Sequence, residues 1–562
     1  MIANKNFTKI IAVIMTLAVI VTFGAIYYQT QNSGTEELSG MEMDYETALF
    51  NTDEIMSVNI IIDDDQWENM LANAEAEEYY KCDVEINGKT FHNVGIRPKG
   101  NTSLAQISSD PNTDRFSFKI EFDKYIEGQT CFGLDKLVLN NNYADATNMK
   151  DALIFDMYQY LGADASLYNY AKISVNDEYW GVYIALEAVE ESFLLRNYGL
   201  DDGQLYKPET MSMGEDMDIS SFESFDFSDM DIDFESLGIS VNENGIPDFT
   251  AFADIDFSQL DMSALSSDFS LTSGGSDLNY IDDRLDSYQT IWDGAVTKTN
   301  KSDHQRVVTA LKNISEKRNL EKYMDIDNIL RYMAVHVFSV NDDSLTGIMA
   351  HNYYLYEQNG RLNILPWDYN LSLGGMLGGG DANSIINDPI DDAFNSTEFF
   401  DGLLENEEYR ERYHEYLRQL VDGYINGGGF DEFYERTRSQ IDDLAASDPT
   451  AFYTVEEYHT AADMLYDVVK LRGESIDGQL AGEIPDQRTI DASSYDLSIM
   501  GTMDMTSMMS NIDFSALMSS TMESMFSMIR NLIVWAVCLV GMIIIMILLR
   551  RFPRKYTKQK KK

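Results

Sequence analysis

Between Val340 and Gly375 the chain reads VNDDSLTGIMAHNYYLYEQNGRLNILPWDYNLSLGG, and few arrangements of it are open. An apolar run delivers Asn341, Asp342 and Asp343 to a polar loop. Two strand-like runs follow, 351–357 and 361–365, with Asn359-Gly360 between them. That dipeptide is a two-residue hairpin turn, because both residues tolerate the positive φ such turns demand. The second strand then enters Pro366-Trp367-Asp368 and a glycine-rich loop. Carboxylates at the ends of regular elements, tied by one short hairpin, can converge on a single point. A few hard oxygen ligands on rigid supports are how a divalent cation and a phosphate are held. Loop aspartates also cap turns for purely local reasons, and spacing alone leaves both readings open.

The body around this stretch is large and acidic. Its 562 residues allow more than one small domain. A formal net charge of −53 argues against nucleic acid or an anionic lipid surface as partner of the main body. Cys82, Cys131 and Cys538 show neither zinc spacing nor a disulfide framework, and a Cys82–Cys131 pair stays open.

Both ends read as membrane segments. The run 10–28 is almost wholly apolar, follows Lys5 and Lys9, and lacks a small-residue cleavage site, which suits an uncleaved anchor. The run 532–549 is long enough to span a bilayer, and the basic tail RRFPRKYTKQKKK follows it. Positive charge outside both runs predicts a two-pass protein with both termini cytoplasmic and an extracytoplasmic body.

Taken in order, the body opens with β-rich sequence. Hairpins are expected at 82–86 with 90–96 about Asn87-Gly88, and at 170–175 with 179–187 about Asn176-Asp177. Phe116, Phe118, Ile120 and Phe122 alternate with Ser117, Lys119 and Glu121, a half-buried strand with Lys119 on its polar side. Residues 148–161 have helical periodicity, with Gly162 as the stop. From about Glu209 to Gly275 the chain turns Met-, Asp-, Ser- and Phe-rich, as in MDISSFESFDFSDMDIDFES, and similar text returns before the second apolar run. The first of these stretches reads as a mobile insert with local helix, the second as a linker. Helical text dominates later: a helix capped by Asp325 or Asp327 leads to Val340, and 407–424, 430–444 and 455–480 are amphipathic. The body is expected to end near Pro485.

IRPKGNTS, FSFKIEFDKY, FGLDKLVLNNNYAD, EYWGVYIALEAVE, GQLYK, VNDDSLTGIMAHNYYLYE, ILPWDYNLSLGG and RGESIDGQLAGEIP occur in this order. Together they resemble the CotH family of atypical protein kinases, named for a spore-coat protein. The resemblance implies an α+β, two-lobed, remote protein-kinase-like fold, with a β-rich N-terminal lobe over a helical C-terminal lobe. It implies ATP with Mg²⁺ or Mn²⁺, and protein substrates phosphorylated on serine. Asp343 matches the catalytic aspartate, Asp368 resembles the metal-binding aspartate, and Asn352 is a candidate second metal ligand. Arg97, Lys99 and Asn101 are candidates for phosphate contacts. Lys119 and Glu187 are candidates for a lysine–glutamate pair, with Lys207 an alternative lysine. Trp367 is expected to pack in the core.

The expected organisation is an N-terminal membrane segment (1–28), a linker (29–54), a β-rich lobe (55–208) and an acidic insert (209–275). A helical lobe (276–485), a low-complexity linker (486–528), a second membrane helix (529–549) and a basic tail (550–562) complete it. A body outside the cytoplasm would meet little ATP, which leaves a non-catalytic surface or assembly module as the alternative. A metal-dependent hydrolase lacks a matching histidine set, since the six histidines are scattered.

Overall fold

A computed structural model describes residues 40–200, 202–210, 274–347, 349–376, 381–482 and 490–503. Its strands, in chain order, are β1 (Met56–Ile61), β2 (Tyr80–Ile86), β3 (Lys89–Lys99), β4 (Ser117–Glu121) and β5 (Lys136–Asn140). They continue with β6 (Tyr168–Val175), β7 (Glu178–Glu187), β8 (Gln204–Tyr206), β9 (Tyr353–Gln358) and β10 (Arg361–Pro366). The three expected hairpins are present. Each turns on two residues at positive φ: Asn87-Gly88 at 49° and 78°, Asn176-Asp177 at 50° and 69°, Asn359-Gly360 at 54° and 86°. Those values set the twist that lets a two-residue loop join antiparallel strands.

The β-rich half does not form one lobe of a kinase-like pair. Its strands close into a barrel in the order β1-β2-β3-β4-β5-β7-β6. Closure comes from β1 and β6, which run parallel in register from Met56↔Ala171 to Ile60↔Val175. The expectation of a remote kinase-like two-lobed fold flanked by membrane helices is therefore corrected. The physical reason is that closure removes both sheet edges, and it pairs strands more than a hundred positions apart, which no local pattern signals. β8 joins the β9–β10 hairpin in a separate three-stranded sheet of order β10-β9-β8.

Alternation along the strands divides two apolar cores. Val58, Ile60, Val84, Ile96, Phe118, Ile120, Leu137, Leu139, Ile173 and Ala185 fill the barrel. Val138, Tyr168, Tyr170, Val182, Ile184 and Leu186 point outward and join the helical core, with Leu153, Ile154, Met157 and Tyr158 of the helix Lys150–Leu161. Thus β5, β6 and β7 are buried on both faces, and the seam between the cores runs along them. Arg115 fastens the seam: its Nη1 lies 2.8 Å from Asp448 in the C-terminal part and its Nε donates to Asn141 O at 3.0 Å. Cys82 and Cys131 are both buried and unbonded, so their possible pairing does not occur.

The helix Lys150–Leu161 ends on Gly162 at φ 68°, as expected. The helix Ile326–Ser339 is capped by the Asp325 side chain. The stretch 407–424 is a helix, Glu407–Arg418, that widens into a π turn at Gln419–Ile425. The body does not end near Pro485, because residues 490–503 return and pack on it. Met503 N donates to Gly375 O at 2.9 Å and Ala146 N to Met500 O at 3.0 Å.

The two-pass topology and extracytoplasmic body are not supported by the described residues: among them no helix is long and apolar enough to cross a membrane. The apolar runs 10–28 and 532–549, and nearly all of the acidic insert, lie outside the described residues.

Candidate functional site

Two loops meet beside the seam, and each leaves a regular element through a residue at positive φ. The helix Ile326–Ser339 ends on Val340 at φ 42°, an unusual conformation for a β-branched residue. Strand β10 ends at Pro366, and Asp368 two residues later has φ 59°. Ala350 and Asn352 add φ values of 45° and 56°. Such backbone costs about 1–3 kcal/mol per residue and persists where the surroundings dictate it. Asn341 ties the loops together: its Nδ2 donates to Asp368 O at 3.2 Å, and its Oδ1 accepts from Asp343 N at 3.2 Å.

Asp343 is 7% exposed and held at both carboxylate oxygens. His351 Nε2 stands in a short contact with Oδ1, and Asn352 Nδ2 donates to Oδ2 at 2.8 Å. The same Nδ2 donates to Asp343 O at 2.9 Å, which commits the amide nitrogen of Asn352 and turns its carbonyl oxygen elsewhere. Burial pushes the His351 ring down, and the Asp343 carboxylate more than reverses this, so His351 is raised overall.

Asp368 faces a second carboxylate that the sequence reading missed. Asp151, in the first turn of the helix Lys150–Leu161, accepts from Tyr369 N at 2.6 Å and from Asn140 Nδ2 at 3.1 Å. Burial raises both acids, and the charge of Asp368 raises Asp151 further. Lys99, at the end of β3, feels the charge of both: its Nζ donates to Asn140 Oδ1 at 3.1 Å and sits 5.6 Å over the Trp367 ring. Burial lowers Lys99, and the nearby Asp368 charge opposes that. Trp367 is 3% exposed and packs edge-on against Tyr354, a core role as expected.

Lys207 completes the cluster. Its Nζ pairs with Glu209 Oε1 at 2.6 Å, and its charge acts on Asp368, Lys99 and His351. Burial raises Glu209, but Lys207 outweighs it and holds the carboxyl below its usual range. The backbone beside Lys207 is approached very closely: Lys207 N donates to Gly294 O at 2.7 Å, and a Cβ at 294 would fall 2.2 Å from Lys207 O. Only glycine fits there.

The structure therefore brings together Asp343, Asp368, Asn352, Lys99 and Lys207 from the candidates. It leaves others apart. Arg97 is engaged by Glu77 and by Pro98 O. Asn101 stands at the N-cap position of the helix Thr102–Ser109, its side chain not capping it. The Lys119–Glu187 pair does not form. Lys119 and Lys136 share Glu190, while Glu187, fully buried, takes Arg196 Nη2 at 2.6 Å and Tyr45 OH at 2.5 Å. Asp151, Asn140, His351, Glu190 and Glu209 were missed. The available signals were a Lys150-Asp151 pair opening an otherwise apolar helix, the Asn140–Asn142 run closing β5, and a histidine beside Asn352.

Carboxylate and amide oxygens are the donor set that suits Mg²⁺ or Mn²⁺. Among the described residues, no group of three or more His, Cys, Asp or Glu is arranged to hold a metal ion. Two carboxylates that burial raises, Asp151 further by the charge of Asp368, still fit a hard cation whose remaining ligands are phosphate oxygens and water.

A family model described as CotH kinase protein matches residues 96–476, more than half of the chain. The chain is also similar to the inner spore coat protein H of Bacillus subtilis (strain 168). The two are 21% identical over 360 residues, which cover 64% of this chain and 82% of that protein.

Proposed function

Because the chain belongs to the CotH kinase protein family, we propose that it transfers the γ-phosphate of ATP to serine side chains of protein substrates. The name of its relative, an inner spore coat protein, supports a place in building a spore coat or a comparable envelope. The observation that carries the reading is the meeting of Asp343 and Asp368, from opposite ends of the β9–β10 hairpin and tied through Asn341, beside the half-buried Lys99.

Phosphoryl transfer asks the protein mainly for positioning and for neutralising charge. Lys99 and Lys207 supply positive charge for the phosphates in a chain whose net charge is −53. Asp368 and Asp151, with the Asn352 carbonyl oxygen, are the groups that would hold a divalent cation, which when bound offsets phosphate charge. Asp343 accepts the serine hydroxyl proton as the serine oxygen bonds to the γ-phosphorus. The bond from that phosphorus to the β,γ-bridging oxygen breaks, and ADP leaves with its electron pair.

The test is incubation of the purified chain with labelled ATP and Mg²⁺ or Mn²⁺, with and without a serine-rich acceptor protein. Acid-stable label on serine is expected. Release of free phosphate with no protein label would point to a hydrolase instead.

A further inference from the structure

We infer that His351 is a positioning residue for Asp343, aiming its carboxylate at the incoming serine hydroxyl; this rests on the kinase reading. A carboxylate anchored at one oxygen can swing about its Cβ–Cγ bond, and each oxygen then leads in turn. Asp343 is anchored at both. Asn352 Nδ2 takes Oδ2 at 2.8 Å, and His351 Nε2 closes on Oδ1 from the other side. The two holders are consecutive in sequence and lead directly into β9. The pair is sheltered, with the His351 and Asp343 side chains 15% and 10% exposed.

His351 and Asp368 feel each other's charge, but their hydrogen bonds run apart. No hydrogen bond joins the His351 ring to Lys99, Asp151 or Asp368 among the described residues; those three are linked through Asn140 and Tyr369. Loss of the His351 contact should therefore slow transfer more than it weakens ATP binding. Aim matters in the step where the proton leaves the serine, and misplacement of a reacting group by a fraction of a bond length is costly there.

The experiment compares His351→Asn with His351→Gln in the full chain. The Gln Nε2 reaches the place of the imidazole Nε2, and the Asn amide stops about one bond short. His351→Asn is expected to lower kcat about 10–100-fold, the usual cost of losing an orienting partner, with KM for ATP nearly unchanged. His351→Gln should recover most of that loss. Should His351→Asn not fold, His351→Met takes its place, since it matches Gln in length and lacks the donor. The inference is overturned if Gln is no better than the donor-less or shortened variant, if kcat stays within about twofold, or if KM rises as far as kcat falls. A wild-type chain that transfers no phosphate removes the kinase reading and this inference with it. Transfer by wild type with unaffected variants removes the inference alone.

Discussion

His336 carries the clearest consequence of burial on a single side chain. Its ring is 2% exposed and stacked on Tyr332, with Nε2 2.7 Å from Thr346 Oγ1 and Nδ1 3.3 Å from Tyr369 OH. Burial pushes it down to about 3 from 6.5. Between those values the unfolded chain binds a proton that the folded chain refuses. Stability is therefore present above about pH 6.5 and is lost as pH falls toward 3. From pH 6.5 to pH 5 the loss from this group is about 2 kcal/mol, at about 1.4 kcal/mol per unit. Urea unfolding at pH 7.5 and pH 5 should give a smaller acid loss for His336→Gln than for wild type. Equal losses would contradict it. At this scale, the meeting of Asp343 and Asp368 was legible because Asn359-Gly360 sets the hairpin between them. The partner of Lys119 was not: Glu187 and Glu190 are three residues apart at the end of β7, and only the barrel decides which one turns toward the lysine.

Among elements, the hairpins and amphipathic helices were legible because turn chemistry and periodicity are local. The returning segment 490–503 was not, since its text continues the low-complexity pattern and its contacts lie far back in the chain. It lies beyond the family match and bears on the site. Gly501 O stands 3.4 Å from the buried Lys150 Nζ, next to Asp151, and Asp145 accepts from Lys150 N at 3.0 Å. Gly501 has φ 86°, and a Cβ there would fall 2.7 Å from Ala144 O and from Ala146 N. Gly501→Ala should therefore lift this strap, cost about 1–3 kcal/mol, and speed hydrogen exchange in residues 144–151. Unchanged exchange there would show that the strap is not fastened as described.

On the scale of the whole molecule, the barrel and the helical part share β5, β6 and β7, and the candidate site sits at the end of that shared layer. The position gives Lys99 from the barrel, Asp151 from the first helix across the seam, and Asp343 and Asp368 from the loops flanking β9 and β10. Barrel closure was illegible because a parallel pairing of β1 with β6 depends on distant strands. The division of labour at the site is the central claim, and Asp343→Asn beside Asp368→Asn tests it most directly. Both changes are near-isosteric and should fold. Nucleotide titrations over a range of Mg²⁺ and Mn²⁺, run beside serine transfer rates, are the measurement. The account predicts that Asp368→Asn loses metal-dependent nucleotide binding, while Asp343→Asn binds as wild type and loses most turnover, about 10²–10⁴-fold. Equal loss of binding in both variants, or a wild type that binds no nucleotide at any metal concentration, would contradict it.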